Sequence, residues 1–147
     1  MTQLMQGKRG LIMGVANDHS IAWGIARMLA AHGATLAFSY QGEALGRRVK
    51  PLAESVGASL LMPCDVEQPA SLDATFAAVA EKWGSLDFLV HAIAFSDKNE
   101  LKGRYAATTR ENFVRTMIIS CFSFTEAAKR AARLMPKGGA MITLRGS

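Results

Sequence analysis

The sequence predicts an α/β fold in which helices cover both faces of one doubly wound parallel sheet. Three observations support this prediction. Short apolar runs alternate with longer segments of helical spacing, and glycine or proline stands at most of the junctions. The short runs do not alternate with polar residues, which is typical of strands buried on both faces. Right-handed crossovers between such strands produce a doubly wound sheet.

The order of elements follows from these runs. Strands are predicted at 10–14, 34–39, 58–64, 86–91 and 140–144, which makes five. Helices are predicted at 20–32, 43–56, 70–83 and 109–135. Pro51 should interrupt or bend the second helix, because it lacks an N–H. Thr109 and Asn112 are both candidates for the start of the fourth, since short polar side chains accept from free backbone N–H groups.

The chain of 147 residues fits one domain, 1–147, with no repeat or flexible linker. Hydrophobic residues make up 50% and charged residues 20%, and no apolar run is long enough to span a membrane. The first ten residues lack the features of a secretory signal. Cys64 and Cys121 form no metal or redox spacing, so each is expected to be a small buried side chain and no metal site is predicted. A reduced, cytoplasmic setting is the default expectation.

The formal net charge is +5, and the cations fall into two groups. The members are Arg47, Arg48 and Lys50 in the second helix, and Lys129, Arg130, Arg133 and Lys137 near the end of the fourth. We expect solvated helix faces, with a surface for an acidic partner as the alternative. No aromatic residues interleave with these charges, so no nucleic-acid partner is predicted.

Ligands of open parallel sheets bind beyond the carboxyl ends of the strands. The first predicted strand ends at Gly14, where the missing Cβ lets the backbone turn and approach a phosphate. A helix beginning near Ser20 would point its N–H groups at the same place. The Ser20 hydroxyl is suited either to donate to a phosphate or to cap the helix, and the spacing does not separate these roles.

The second and third strands end in further polar residues. Many NAD enzymes carry an acid where Gln41 stands, to bind the adenosine ribose. The Gln41 amide does not repel a 2′-phosphate as an acid would, yet no cation stands beside it, so NAD is favoured over NADP. A plain polar loop residue is the alternative. Asp65 is suited to accept from an adenine amino group, with Val66 packing on the ring, or to form a turn.

The fourth strand ends in His91 and is followed by small residues that would let a cofactor ribose approach the backbone at Ile93. His91 lies in an apolar run and is expected to be a hydrogen-bonded core residue. Phe95 and Ser96 open a loop to residue 108 that is expected to line a substrate pocket.

These residues occur in blocks that, taken together, are more specific than a single glycine motif. The blocks are Gly14-Val15-Ala16, Ser20-Ile21-Ala22-Trp23-Gly24-Ile25-Ala26, Leu36-Ala37-Phe38-Ser39-Tyr40-Gln41, Cys64-Asp65-Val66, His91-Ala92-Ile93-Ala94-Phe95 and Ser120-Cys121-Phe122-Ser123-Phe124. The chain thereby resembles the divergent short-chain dehydrogenase/reductase family, whose sheet is of the Rossmann type. Within it, the chain is similar to the bacterial NADH-dependent enoyl-acyl carrier protein reductases over its whole length.

The resemblance implies a set of cofactor-binding residues, which are Gly14, Ser20, Ile21, Gln41, Asp65, Val66 and Ile93. Gly14, Ser20 and Ile21 would contact the phosphates and ribose of NADH. Ile93 would lie under the ribose on the nicotinamide side, and Ser96 would border the substrate. In the family, NADH gives a hydride to the β-carbon of a trans-2-enoyl thioester on acyl carrier protein, in bacterial fatty acid synthesis. The carrier is acidic, which offers one account of the net charge. The helix at 109–135 resembles the one that forms the family's homotetramer.

The resemblance also predicts a chain that is truncated relative to the family. The family's catalytic tyrosine and lysine follow the fifth strand, where this sequence has residues 145–147. Tyr40 and Tyr105 match no catalytic position, so no catalytic residue and little reductase activity are expected. The strand at 140–144 should be an unpaired edge that lowers stability. The second hypothesis is a non-catalytic dinucleotide-binding module, and the third is a regulatory or nucleic-acid-binding domain. Continuation of the gene into a tyrosine and a lysine would distinguish a reductase fragment from the non-catalytic module.

Overall fold

The structure is a computed structural model that describes residues 3–144. Its strands are β1 (Arg9–Met13), β2 (Thr35–Tyr40), β3 (Leu60–Pro63), β4 (Phe88–His91) and β5 (Ala140–Thr143). Its helices are α1 (Ile21–Ala31), α2 (Gly42–Ser55), α3 (Pro69–Trp83), α4 (Arg110–Met117) and α5 (Ser123–Arg133). A π-helical turn, Ile118–Phe122, joins α4 to α5, and two 3₁₀ turns, Lys98–Glu100 and Tyr105–Ala107, lie in the loop after β4. The predictions that concern residues 145–147 lie outside the described residues.

The strands form a single parallel sheet in the order β3-β2-β1-β4-β5. The predicted α/β class and five-strand parallel sheet are therefore confirmed. Chain order reverses between β1 and β4, because β2 and β3 extend the sheet on one side and β4 and β5 on the other. This switch point is where ligands of such sheets bind.

Apolar side chains lie on both faces of the sheet, as the uninterrupted apolar strands predict. Leu11 of β1 and Leu89 of β4 belong to one buried cluster with Leu72 of α3 and Ala127 of α5. Ile12, the next residue of β1, points to the opposite face, into a second cluster that includes residues of α1 and α2. Successive strand residues thus fill two separate cores.

Two helices differ from the prediction. The second runs without interruption through Pro51. Pro51 and Arg47, whose carbonyl loses its partner, are both exposed residues, so water can supply the missing hydrogen bond. The fourth predicted helix consists of α4, the π-helical turn and α5. Such a turn inserts a wider i→i+5 step, which leaves no mark on apolar periodicity.

The expectation for the cysteines is correct for one of them. Cys64 is buried, whereas Cys121 is only half-buried. Of the second basic group, Arg130 lies 2.8 Å from Asp73 and is mostly buried, so it adds little to a free basic surface. In residues 3–144 no helix combines the length and apolarity that crossing a membrane requires.

β5 forms one edge of the described sheet. The side chain of Ile142 there is 50% exposed. The predicted loss of stability stays a prediction, but the apolar edge on which it depends is present in this fold.

Candidate functional site

A cleft of about 160 Å³ opens at the carboxyl ends of the strands, at the switch point between β1 and β4. Segments that end or follow four of the strands line it. The lining residues are Gly14, Val15, Ala16, Ser39, Tyr40, Gln41, Leu45, Cys64, Val66, Ala92, Ile93 and Ala94. Four predicted site residues are thus brought together: Gly14, Gln41, Val66 and Ile93. Tyr40 and Leu45 were not predicted.

The floor of the cleft is backbone. Gly14 has φ +104°, and a Cβ added to it would lie 2.1 Å from the carbonyl oxygen of Ala92. The N–H of Ala92 donates to the carbonyl oxygen of Met13 at 2.9 Å, so the ends of β1 and β4 are also joined directly. The sequence analysis explained Gly14 by the close approach of a phosphate. The structure adds a second reason, because the adjacent backbone at Ala92 leaves no room for a Cβ even without a ligand.

Ser20 occupies the N-cap position of α1, but its side chain does not cap the helix. Its hydroxyl donates to the carbonyl oxygen of Asn17 at 2.8 Å. Asn17 closes the preceding turn by accepting from the N–H of His19 at 2.8 Å. The Ser20 hydroxyl must leave Asn17 before it can donate to a phosphate.

Ile21 is the first residue of α1, and its side chain is 71% exposed. It lies with Met28 in a separate shallow apolar pocket on α1. The structure therefore does not place the Ile21 side chain in the lining of the cleft, and a contact from Ile21 to a ligand there would have to come from its backbone.

Gln41 and Asp65 meet across the ends of β2 and β3. The Gln41 Nε2 lies 3.5 Å from Asp65 Oδ1. The same Asp65 oxygen accepts from the N–H of Glu67 at 3.0 Å, which is the turn-forming role that the sequence left open. Val66, which lies between Asp65 and Glu67 in the chain, is buried and lines the cleft. Gln41 lines the cleft together with Val66, whereas Asp65 is not among the lining residues.

Cys64 lines the cleft but is a poor nucleophile. Burial raises the pKa of its thiol, and the nearby Asp65 carboxylate adds to the rise, while contacts from Thr75 and Ser71 oppose it. The thiol is therefore protonated near neutral pH and acts as a small apolar side chain.

His91 is a core residue, as predicted. It is fully buried, with Nδ1 3.0 Å from the hydroxyl of Thr143 and Nε2 2.8 Å from the hydroxyl of Ser123. These contacts join β4, β5 and α5 beneath the cleft. Both ring nitrogens have partners, so His91 has a structural role in this arrangement.

Ser96 lies apart from the cleft. It lines a second pocket of about 450 Å³, between the loop after β4 and α4. Asn112 holds this segment, since its Nδ2 donates to Ser96 Oγ at 3.3 Å and its Oδ1 accepts from the N–H of Asp97 at 3.0 Å.

Of the two candidates for the start of the fourth helix, Thr109 is the capping residue. Its hydroxyl accepts from the N–H of Asn112.

The π-helical turn provides a second hold on this loop. The Ser120 hydroxyl accepts from the N–H of Phe95 at 2.9 Å and donates to the Phe95 carbonyl at 3.2 Å. Sequence reasoning missed the roles of Ser120 and Asn112. A short polar residue inside a helix was the available signal, because such residues are unfavourable there unless they bond to something. Within residues 3–144, no three His, Cys, Asp or Glu side chains are grouped as metal ligands.

Comparison with known proteins identifies relatives over nearly the whole chain. The family model described as enoyl-(acyl carrier protein) reductase matches residues 14–147. The enoyl-[acyl-carrier-protein] reductase [NADH] 2 of Rhizobium meliloti is 72% identical over 98% of this chain, which is 54% of that protein. The chain spans about half the length of the curated relatives it matches.

Solved structures agree with this fold. The crystal structure of FabI from Candidatus Liberibacter asiaticus has a TM-score of 0.95 and 63% identity, over 97% of this chain and 55% of that one. The enoyl-(acyl-carrier-protein) reductase of Anaplasma phagocytophilum, solved in complex with NAD, has a TM-score of 0.93 and 55% identity over the same shares. Since the family model covers more than half of the residues, this chain belongs to the enoyl-(acyl carrier protein) reductase family.

Proposed function

We propose that this chain forms the NADH-binding part of an enoyl-acyl carrier protein reductase of bacterial fatty acid synthesis. The observation that supports it most is the cleft at the switch point, which brings Gly14, Gln41, Val66 and Ile93 together. Family membership and the NADH dependence printed in the relatives' names support the same assignment.

The residues of the cleft fit a dinucleotide. Gly14 leaves a backbone floor on which a pyrophosphate can lie close to the start of α1. Gln41 would bind the adenosine ribose through its amide, and the Asp65 carboxylate would accept from the adenine amino group. Val66 and Ile93 provide apolar contacts for the adenine and for the ribose on the nicotinamide side.

At the entrance to α1, we assign phosphate contacts to the Ser20 hydroxyl and the Ile21 backbone. Ser20 would exchange its bond to the Asn17 carbonyl for one to a phosphate oxygen, which is charge-assisted and stronger. Ser96 would border the enoyl substrate from the neighbouring pocket. Bound NADH would supply the hydride that reduces the double bond of a trans-2-enoyl thioester.

We further propose that residues 1–147 bind NADH without completing the reaction. The two tyrosines are unsuited to polarise a thioester carbonyl beside a nicotinamide. Tyr40 ends β2, on the predicted adenosine side, and Tyr105 is 78% exposed in the loop after β4. In the family resemblance the catalytic tyrosine and lysine follow the fifth strand.

The test combines binding and turnover on the same preparation. Titration of NADH, followed by its fluorescence, is expected to show saturable binding by the chain. Asp65→Ala should weaken that binding about tenfold, as for loss of a hydrogen bond to a charged group. Asp73→Ala, an exposed residue of α3, is the matched control and should leave binding unchanged. Absence of saturable NADH binding by the unaltered chain would contradict the assignment.

Turnover is measured as NADH oxidation in the presence of a crotonyl thioester. The expected rate is that of the blank without protein. A rate near that of a full-length relative would show that residues 1–147 contain the catalytic groups, contrary to the proposal. Binding with no turnover also fits the alternative, a non-catalytic dinucleotide-binding module. A longer protein that continues into the tyrosine and lysine distinguishes the two, because it should be active if the chain is part of a reductase and inactive if the chain is a module.

We propose that the chain associates with itself through α4 and the π-helical turn, as the family's homotetramer would require. Phe113, Val114, Met117 and Phe122 form an apolar surface there, with the Phe122 side chain 54% exposed. Exposed apolar area of this kind marks interaction sites. Sedimentation should show an oligomer that Phe122→Glu dissociates. A monomer at micromolar concentration would argue against it.

The partner in catalysis would be an acyl carrier protein that presents the enoyl group, and the setting would be the cytoplasm. The net charge of +5 suits an acidic carrier. No nucleic-acid or membrane partner is proposed.

A further inference from the structure

Arg115 makes a two-point contact with the turn that follows β3. It lies on α4, and its Nε is 2.8 Å from Glu67 Oε1 while its Nη2 is 3.1 Å from Glu67 Oε2. Two parallel bonds of this kind fix the orientation of the guanidinium plane. The contact therefore holds the turn against α4 at a defined angle.

The same guanidinium also contacts the segment that follows β4. Its central carbon lies 4.4 Å from the centroid of the Phe95 ring. A guanidinium stacked on an aromatic ring is attracted to its electron-rich face. Arg115 thus touches both segments, one through a carboxylate and the other through a ring.

Each of these two segments adjoins a residue that lines the cleft. Glu67 follows Val66, which lines the cleft on the side assigned to adenine. Phe95 follows Ala94, which lines it from the β4 side. Arg115 does not line the cleft, so any effect of Arg115 on a ligand must act through its two partners.

A second ion pair of the same length shows what is particular to Arg115. Arg130 of α5 lies 2.8 Å from Asp73 of α3. That pair joins two helices, and neither partner is next in the chain to a residue that lines the cleft. The charge of Arg115, in contrast, also faces Asp65 and Asp97, whose carboxylates add to the rise in the Arg115 pKa caused mainly by Glu67.

We propose that Arg115 is a positioning residue that sets the spacing between the segments after β3 and β4, and thereby the affinity of the cleft for the ADP-ribose part of the dinucleotide. This inference rests on the proposed binding of NADH. Without Arg115, the turn at 65–67 loses its tie to α4, while Ser120 and Asn112 still hold the segment at 95–97. The adenine contact at Val66 and the ribose contact at Ile93 then lose their fixed spacing.

The test measures two ligands by calorimetry on the whole chain. NADH contains both halves of the dinucleotide, whereas ADP-ribose lacks the nicotinamide. Arg115→Met is expected to weaken both ligands by the same factor, about threefold, which is the scale of a partly exposed ion pair. Arg130→Met, the control, should leave both affinities unchanged.

The pair can be separated from a general loss of structure by a double-mutant cycle. Glu67→Gln should weaken both ligands as Arg115→Met does, and the double variant should be no weaker than either single one. Arg115→Lys keeps the charge but loses the planar fork of the guanidinium. The affinity of this variant for both ligands should therefore lie between those of the unaltered chain and Arg115→Met. Without any ligand, amide hydrogen exchange at Glu67, in the turn that Arg115 holds, should be faster in Arg115→Met than in the unaltered chain.

Four other results would overturn the inference or the proposed function on which it rests. Unchanged ADP-ribose affinity in Arg115→Met and Glu67→Gln overturns the inference while leaving NADH binding intact. Additive losses in the double variant, or an equal loss in Arg130→Met, overturn it as well. If the unaltered chain binds neither ligand, the proposed function itself is wrong, and this inference with it.

Discussion

The cleft floor and the loop that follows β4 are built in different ways. At the end of β1 the shape is set by backbone, since Gly14 meets the Ala92 carbonyl and a Cβ there would lie 2.1 Å from its oxygen. After β4 the chain is held by side chains, with Ser120 bonded to both polar groups of Phe95 and Asn112 bonded to Asp97. The backbone contact leaves no room for any side chain at Gly14. The side-chain hydrogen bonds, in contrast, each contribute a modest amount to the free energy of unfolding.

The first prediction tests the backbone side and carries the largest effect. Gly14→Ala should lower the free energy of unfolding by at least about 3 kcal/mol, because it combines a positive φ with a clash against backbone. Urea denaturation measures the change. Gly24→Ala is the control, since the added Cβ in α1 meets no atom within 4 Å beyond its neighbours and its own helix backbone, and it should stabilise by about 0.5 kcal/mol. Equal stability of the Gly14→Ala and unaltered chains would show that the strand ends are free to separate.

The second prediction tests the side-chain hold. Ser120→Ala should cost about 1–2 kcal/mol, because it leaves the N–H and carbonyl of Phe95 without their partner. Ser55→Ala removes an exposed hydroxyl that bonds to the Leu52 carbonyl and should cost less than about 0.5 kcal/mol. If the two variants unfold at the same urea concentration, the loop after β4 does not depend on the π-helical turn.

The third prediction concerns the far end of the same loop. The Glu100 carboxylate accepts from the N–H and the hydroxyl of Thr109, at the start of α4. Glu100→Gln should cost about 0.5–1 kcal/mol, because a negative charge near a helix N-terminus is stabilising. Glu81→Gln, late in α3, should cause no loss and serves as the control. A smaller effect of Glu100→Gln than of Glu81→Gln would contradict this assignment.

The fourth prediction is the smallest and uses pH. The hydrogen bond from Arg115 lowers the pKa of Glu67 in the folded chain. The resulting stability is fully present above the ordinary carboxyl pKa and is lost as the pH falls through the lowered value. Denaturation at several acidic pH values should therefore show a slightly weaker pH dependence for Glu67→Gln. Identical pH profiles would mean that the pair adds nothing measurable.

The sequence was sufficient for the strands, for burial of the sheet on both faces and for the place of the cleft. Apolar runs define the strands, and parallel strands deliver their ends to one edge, which is why Gln41, Val66 and Ile93 meet there. Ile21 and Ser96 were assigned from the family resemblance. The structure places the Ile21 side chain on the α1 surface and Ser96 in the neighbouring pocket, and their roles stay predictions.

What the sequence could not provide depends on contacts between distant residues. Ser120 and Phe95 are 25 positions apart, and nothing in either segment specifies the pairing. The π-helical turn changes which side chains of the helix face the loop, yet it has no period of its own. Arg115 resembles any other exposed cation until Glu67 and Phe95 are placed beside it.

The contact between Gly14 and Ala92 has a consequence for how the cleft tolerates change. Since main-chain atoms of two adjacent strands meet there, the identity of the surrounding side chains does not determine where this surface lies. Substitutions at Leu45 are therefore expected to change the side-chain lining of the cleft while the backbone floor beneath it keeps its position.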